Sequence, residues 1–170
     1  KIMAQNMLAA YSIAGTYGIS DKIIIDTLKD FNFLSGRGNH IYKNGYLIIN
    51  DTYNANPDSF KIGIDSFLSI NCKGRKILII GDMKELGDKT ISHHSELGQY
   101  INNKKIDFVF GVGKDIEITI NQINNSQIYC KHFIEKQDLL DFLNIELKKE
   151  DIIYLKASRS MSFEKIIDAL

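Results

Sequence analysis

Apolar positions along the chain change their spacing near residue 36. Before that point Met3, Met7, Leu8, Tyr11 and Ile13-Ala14 recur at helical spacing, which predicts a helix that ends at Gly18. Ser20 is placed to cap a second helix running to Lys29, with Ile23, Ile24, Thr27 and Leu28 as its inner side. From Gly36-Arg37-Gly38 onward the pattern becomes strand, turn, strand: Ile41 to Lys43, Asn44-Gly45, then Tyr46 to Asn50. Both residues of Asn-Gly accept the positive φ of a type I′ turn, so a β-hairpin is predicted there.

The segment after the hairpin, Asp51-Thr-Tyr-Asn-Ala-Asn-Pro-Asp-Ser59, sets small and polar residues and the only proline directly after an apolar run. Asn56 reads as a helix N-cap and Pro57 as the first helical residue, where its missing N–H costs nothing. The free N–H groups of that helix start suit a phosphate or carboxylate. The pattern then alternates: helix 57–71, strand 76–81, helix 91–103, strand 106–110, a helix near 114–123, strand 127–130, helix 135–147, strand 151–155 and a last helix from about 160. Ile77 to Ile80 is apolar without alternation, as in strands covered by helices on both faces. The expected class is α/β with a largely parallel sheet, and a domain boundary is expected within residues 31–36.

Charge and composition narrow the partners. The 170 residues carry 21 basic and 21 acidic side chains, so no net field draws the chain to nucleic acid or to an anionic membrane. The apolar runs are far shorter than the ~20 residues that span a bilayer, and the start does not resemble a signal peptide. Cys72 and Cys130 lack any CxxC or His-rich spacing and read as reduced, inert thiols of a cytoplasmic protein. The chain opens on Lys1, directly in helical periodicity, which reads as a piece of a longer polypeptide.

In open α/β sheets ligands bind beyond the carboxyl ends of the strands. Those ends carry Asp51-Thr-Tyr-Asn, Gly81-Asp82-Met-Lys-Glu85, Gly111-Val-Gly113, Lys131-His132 and Lys156-Ala-Ser-Arg-Ser160. The last cluster, with two cations and two hydroxyls, has a composition suited to an anion. Plainer roles exist for each: Asp51 or Asp82 as a turn capper, Lys156 and Arg159 as a solvated surface pair. His93 and His94 are adjacent on a helix and point apart, so no metal site is expected from them. Gly111-Val-Gly113 lacks the third glycine of a dinucleotide fingerprint, since Ile116 stands at that place, and reads as a tight turn. No nucleophile, base and orienting group stand out as a set.

Three strings carry a resemblance: Asp51-Thr-Tyr-Asn-Ala-Asn-Pro-Asp-Ser59, Gly74-Arg-Lys-Ile-Leu-Ile-Ile-Gly-Asp-Met-Lys-Glu-Leu-Gly87 followed by His94 and Gly98, and Lys156-Ala-Ser-Arg-Ser-Met161. Together they resemble signature stretches of the bacterial Mur ligase family. The resemblance implies that residues 1–34, including Asn6-Met-Leu-Ala-Ala10, end a central ATPase domain, and that residues 35–170 form a Rossmann-like C-terminal domain. It implies ATP-driven amide synthesis for peptidoglycan, with Mg²⁺, joining D-alanyl-D-alanine to UDP-N-acetylmuramoyl-tripeptide through an acyl phosphate. The expected full-length protein is a cytoplasmic monomer.

By the same resemblance Arg37 reaches the ATP phosphates as a catalytic cation. Asp51, with Tyr53 and Asn54, meets the nucleotide ribose, while Asn56, Asp82, His94, Lys156, Ser158, Arg159 and Ser160 line the amino-substrate side. Ile2 and Met3 stand where the family carries a polar pair near adenine. The phosphate loop and the Mg²⁺ carboxylates of the family belong to upstream domains, so this chain is not expected to turn over alone. Residues 31–36 are the expected pivot for domain closure. A stand-alone nucleotide- or anion-binding regulatory module and a folylpolyglutamate synthase-like ligase domain are the competing readings; the Asn-Ala-Asn-Pro string argues against the latter.

Overall fold

The computed structural model describes residues 2–31 and 34–170, with side chains from residue 5 onward. The expected inward role of Met3, the Ile2 and Met3 side chains and part of the expected pivot therefore lie outside the described residues. The chain divides into two compact units, residues 1–34 and 35–170.

The first unit holds helices α1 (Ile2–Thr16) and α2 (Asp21–Lys29). Gly18 takes a left-handed φ of 75° just past α1, the conformation that stops a helix at little cost for glycine. Tyr11 donates its hydroxyl to Asp21 at 2.8 Å and ties the two helices together. Two short helices can cover only one stripe each. Met7, Tyr11 and Ala14 are accordingly half-buried, Leu8 and Ile13 exposed; on α2, Ile24 is buried whereas Ile23 and Thr27, expected inside, face out. Ser20 precedes α2 in an extended conformation but makes no side-chain cap.

The second unit is a six-stranded sheet in the order β1-β2-β6-β3-β4-β5. Its strands are β1 (Asn39–Lys43), β2 (Tyr46–Asn50), β3 (Lys76–Gly81), β4 (Phe108–Val112), β5 (Tyr129–Phe133) and β6 (Ile152–Lys156). Only β1 runs antiparallel, paired with β2 across the Asn44-Gly45 turn, where φ is positive at both residues. Helices α3 (Pro57–Leu68), α4 (Thr90–Asn102) and α5 (Ile116–Asn121) cover one face; α6 (Lys136–Glu146) and α7 (Glu164–Ala169) cover the other. Alternation inside the apolar strands feeds both cores. Leu78 and Ile80 pack under α3 to α5 with Phe60, Phe67 and Leu97, and Ile77 and Ile79 pack under α6 and α7 with Leu139, Leu143 and Ile166.

β4 and β5 each lie two residues later than their apolar runs indicate. Asp107 is spent on the entry to the sheet: its N–H donates to Lys76 O at 3.1 Å and its carboxylate accepts from Lys76 N at 2.7 Å, so the ladder starts at Phe108. As a result Gly111 belongs to the ladder, opposite Ile80, and the turn begins only at Gly113. Lys131 and His132 likewise sit within β5 instead of beyond its end. The last helix also starts late, at Glu164, because Arg159–Met161 forms a single 3₁₀ turn and Ser162 takes a left-handed φ of 50°.

The expected cap of α3 is present in full. Asn56 Oδ1 accepts from Ser59 N at 2.8 Å, Asn56 N donates to Ser59 Oγ at 3.0 Å, and Pro57 opens the helix. Asn56→Ala is expected to cost about 1 kcal/mol in urea unfolding, and Asn56→Asp to retain most of that; an equal loss in both variants counts against the cap.

Candidate functional site at the sheet switch point

The chain runs outward from β3 through β4 to β5 and then returns to insert β6 between β2 and β3. The carboxyl ends of β2, β6 and β3 therefore open on the crevice where α/β sheets bind ligands. Five of the sequence-selected residues meet there. Asp51 leaves β2 and is fixed by its N–H to Leu155 O at 3.0 Å. Its Oδ2 accepts from Lys156 Nζ at 2.7 Å and from Tyr154 Oη at 2.6 Å. Lys156 also donates to Asn54 O at 3.0 Å, which draws the loop after β2 over the end of β6. Tyr53 N donates to Gly36 O at 2.9 Å, and the Arg37 guanidinium lies 4.1 Å from the centre of the Tyr53 ring, a cation–π contact.

Lys156 is thus no solvated surface residue: it is the last residue of β6 and 2% exposed. A buried ammonium requires a counter-charge, and Asp51 supplies it. Arg37 is the opposite case. It is exposed, and among the described residues its guanidinium has no carboxylate or hydrogen-bond acceptor. Asp51 Oδ1 is similarly without a hydrogen-bond donor among the described residues, and the Asp51 side chain is 22% exposed.

A second group forms at the end of β3. Asp82, 2% exposed, accepts from Asp115 N at 2.9 Å and Ile116 N at 2.8 Å and so caps α5 from across the sheet. Its other oxygen is 2.8 Å from Lys84 Nζ, which also reaches Asp115 at 2.8 Å. Those hydrogen bonds, Asp115 first and then Asp82, hold the Lys84 ammonium above its ordinary pKa. Gly113, at a φ of 117°, lies so close that any Cβ would come within 2.6 Å of Asp82 Oδ1. His94 is fully buried; its Nε2 accepts from Met83 N at 3.1 Å and its Nδ1 faces Thr90 O at 2.8 Å. With Nδ1 protonated the ring is a neutral strut under the Asp82 turn. Ser158 joins the two groups, donating its N–H to Asp82 O at 3.1 Å and accepting from Lys84 N at 2.8 Å.

Arg159 and Ser160 lie outside both groups on the 3₁₀ turn, exposed, with Arg159 3.6 Å from Glu164. Asn56 is engaged in the α3 cap. No three His, Cys, Asp or Glu side chains come together as a metal would require among the described residues. Burial pushes the Cys130 thiol up to about 11, whereas Cys72 is exposed. Sequence reading missed Tyr154 and Asp115, and gave Lys84, within its β3-end string, no role of its own. The Tyr154 signal was available, because residues two apart on a strand share a face and Lys156 follows it by two.

A mostly parallel α/β sheet covered by helices on both faces defines a Rossmann-like domain, with a carboxylate, a buried lysine and an unpaired arginine at its switch point. The particular family follows from comparison. The sequence model of the Mur ligase, glutamate ligase domain matches residues 36–159, and the chain belongs to the Mur ligase family. The chain is 35% identical over 173 aligned residues to the UDP-N-acetylmuramoyl-tripeptide–D-alanyl-D-alanine ligase of Bacillus subtilis, covering 97% of this chain and 37% of that one. Among solved structures, MurF of Acinetobacter baumannii superposes with a TM-score of 0.84 at 28% identity, over 97% of this chain and 36% of that chain. The MurF ligase of Thermotoga maritima in complex with ADP gives 0.78 at 30% identity, over 96% and 36%. The chain therefore spans little more than a third of the length of these relatives.

Proposed function

We propose that this chain is the C-terminal part of the ATP-dependent ligase that joins D-alanyl-D-alanine to UDP-N-acetylmuramoyl-tripeptide in bacterial peptidoglycan precursor synthesis, acting in the cytoplasm as a monomer. Residues 1–34 are assigned to the end of the central ATPase domain and residues 35–170 to the amino-substrate domain. In the reaction the γ-phosphoryl group of ATP passes to the tripeptide carboxylate, and the dipeptide amine then displaces phosphate to form the amide. Mg²⁺ and the triphosphate are assigned chiefly to upstream domains.

One observation supports this reading above the others. Arg37 holds an unpaired guanidinium against Tyr53, and Asp51, two residues before Tyr53, keeps one oxygen free among the described residues while the other is charge-balanced by Lys156. A free fork of N–H donors suits a phosphate, and a free carboxylate oxygen suits a ribose hydroxyl. The exposed Arg159 and Ser160 are assigned to the dipeptide carboxylate. Ser158, Asp82 and His94 shape the floor beneath it, and Asn54 and Asn56 hold the rim.

The test is a full-length assay with ATP, D-alanyl-D-alanine and the UDP-linked tripeptide, read by mass spectrometry. ADP, phosphate and the UDP-linked pentapeptide are expected only when all three are present, and the 170-residue chain alone is expected to give none. Asp51→Ala should raise KM for ATP about tenfold, the worth of one hydrogen bond to a charged group. Absence of pentapeptide from the folded full-length protein overturns the assignment.

A further inference from the structure

We propose that Tyr154 is a positioning residue for the nucleotide, acting through Asp51, and that Tyr154 and Lys156 together make Asp51 selective for a ligand hydroxyl. The inference rests on the assignment of Asp51 to the ATP ribose and adds to it the device that orients the carboxylate.

Both donors converge on one oxygen. Tyr154 Oη and Lys156 Nζ lie 2.6 Å and 2.7 Å from Asp51 Oδ2, and neither is placed on Oδ1. The carboxylate is therefore held through Oδ2, and Oδ1 is left without a donor among the described residues on a side chain that is 22% exposed. Both donors are themselves buried. Tyr154 is 2% exposed, its ring 5.5 Å from that of Phe67, and Lys156 Nζ is 5.7 Å from the centre of the Phe60 ring. Helix α3 is shaped around the phenol: a Cβ at Gly63 would collide with Tyr154 Oη and come within 3.3 Å of Asp51 Oδ2.

The chemistry of the two donors is complementary. Lys156 places a counter-charge 2.7 Å from Asp51 Oδ2 in a half-buried site. Burial, and then the Asp51 charge, raise the Tyr154 hydroxyl well above its ordinary pKa, so it remains a donor at any working pH. An acceptor-only Oδ1 can reward a hydroxyl but nothing in a ligand that lacks a proton to give. The site thus favours a nucleotide with its ribose hydroxyls over a deoxy analogue. On this proposal Lys156, which the family resemblance puts on the amino-substrate side, serves the nucleotide side through its bonds to Asp51 and Asn54 O.

The experiment uses the full-length enzyme as wild type, Asp51→Ala, Tyr154→Phe and Gly63→Ala, with KM and kcat measured for ATP, 2′-deoxy-ATP and 3′-deoxy-ATP. Tyr154→Phe keeps the ring in the core and removes only the hydroxyl. It is expected to raise KM for ATP about fivefold to tenfold, with a smaller change in kcat and none in KM for D-alanyl-D-alanine. Preference for ATP over whichever deoxy analogue wild type rejects should shrink by a similar factor, and Gly63→Ala should reproduce the pattern by displacing the phenol. A KM for ATP unchanged in Tyr154→Phe, with Asp51→Ala impaired, overturns the positioning role alone. An equal loss for ATP and both deoxy analogues in Tyr154→Phe also overturns it, since that reports general damage. Wild-type KM in Asp51→Ala overturns the ribose assignment, and this inference with it.

Discussion

Arg37→Ala in the full-length enzyme is expected to lower kcat about 10³-fold, the scale at which arginine contacts to a transferring phosphoryl group act, equivalent to about 4 kcal/mol of transition-state stabilisation. The expectation rests on what surrounds the side chain. Its guanidinium lies 4.1 Å from the Tyr53 ring centre and has no acceptor among the described residues, so no protein partner has to be given up when it meets a phosphate. Preorganised charge aimed at developing charge is worth far more than charge that must first leave another partner. Arg37→Lys keeps the charge but loses the planar fork and the stacking, and should fall between, about 10-fold to 100-fold below wild type. Because Arg37 is exposed, thermal stability should move little in either variant. A kcat for Arg37→Ala within threefold of wild type, at saturating substrates, would remove Arg37 from the reaction.

How far such residues can be read from sequence depends on where their partners lie. The hairpin at Asn44-Gly45 and the cap at Asn56-Pro57-Asp58-Ser59 are made by neighbours in the chain, and both stand where the pattern put them. The two-sided cores follow from uninterrupted apolar strands, again a local property. Strand starts do not: β4 begins at Phe108 because Asp107 is held by Lys76, more than thirty residues earlier. The plainer reading of Lys156 as a surface cation fails for the same reason. Its counter-charge, Asp51, is 105 positions away. Tyr154 was hidden among the apolar residues of a buried strand, and only the return of β6 between β2 and β3 sets its hydroxyl against Asp51 and under Gly63. Sequence reading selected the exposed Arg37 and Arg159 and also the buried Asp82, His94, Lys156 and Ser158, all of them polar; what burial concealed was Tyr154, an aromatic residue within the apolar run of β6.

The opposite end of the sheet shows how much of the stability rests on one charge cluster. Arg75 forks onto Asp151, with Nε 3.0 Å from Oδ1 and Nη2 2.7 Å from Oδ2, and donates Nη1 to Glu146 Oε1 at 2.6 Å. Its Cζ lies 4.7 Å from the Phe108 ring centre. The hydrogen bonds to Asp151 contribute most to raising the Arg75 pKa, so the guanidinium stays charged at any accessible pH. Asp151 is 1% exposed and is also the acceptor for Arg75 N and Lys148 N, at 3.3 Å and 2.8 Å. It thereby joins the starts of β3 and β6, the two central strands. Arg75→Ala removes the cation and leaves that carboxylate buried, a loss of about 3–5 kcal/mol. With a urea m-value of about 2 kcal/mol/M, the unfolding midpoint of the 170-residue chain should fall by about 2 M. The pair is coupled, so Arg75→Ala combined with Asp151→Asn should recover a substantial part of the loss by taking away the unpaired charge while keeping an acceptor for the two N–H groups. A midpoint shift below about 0.5 M in Arg75→Ala, or strictly additive losses in the double variant, would mean that water replaces the guanidinium and that the cluster orients the strands without stabilising them.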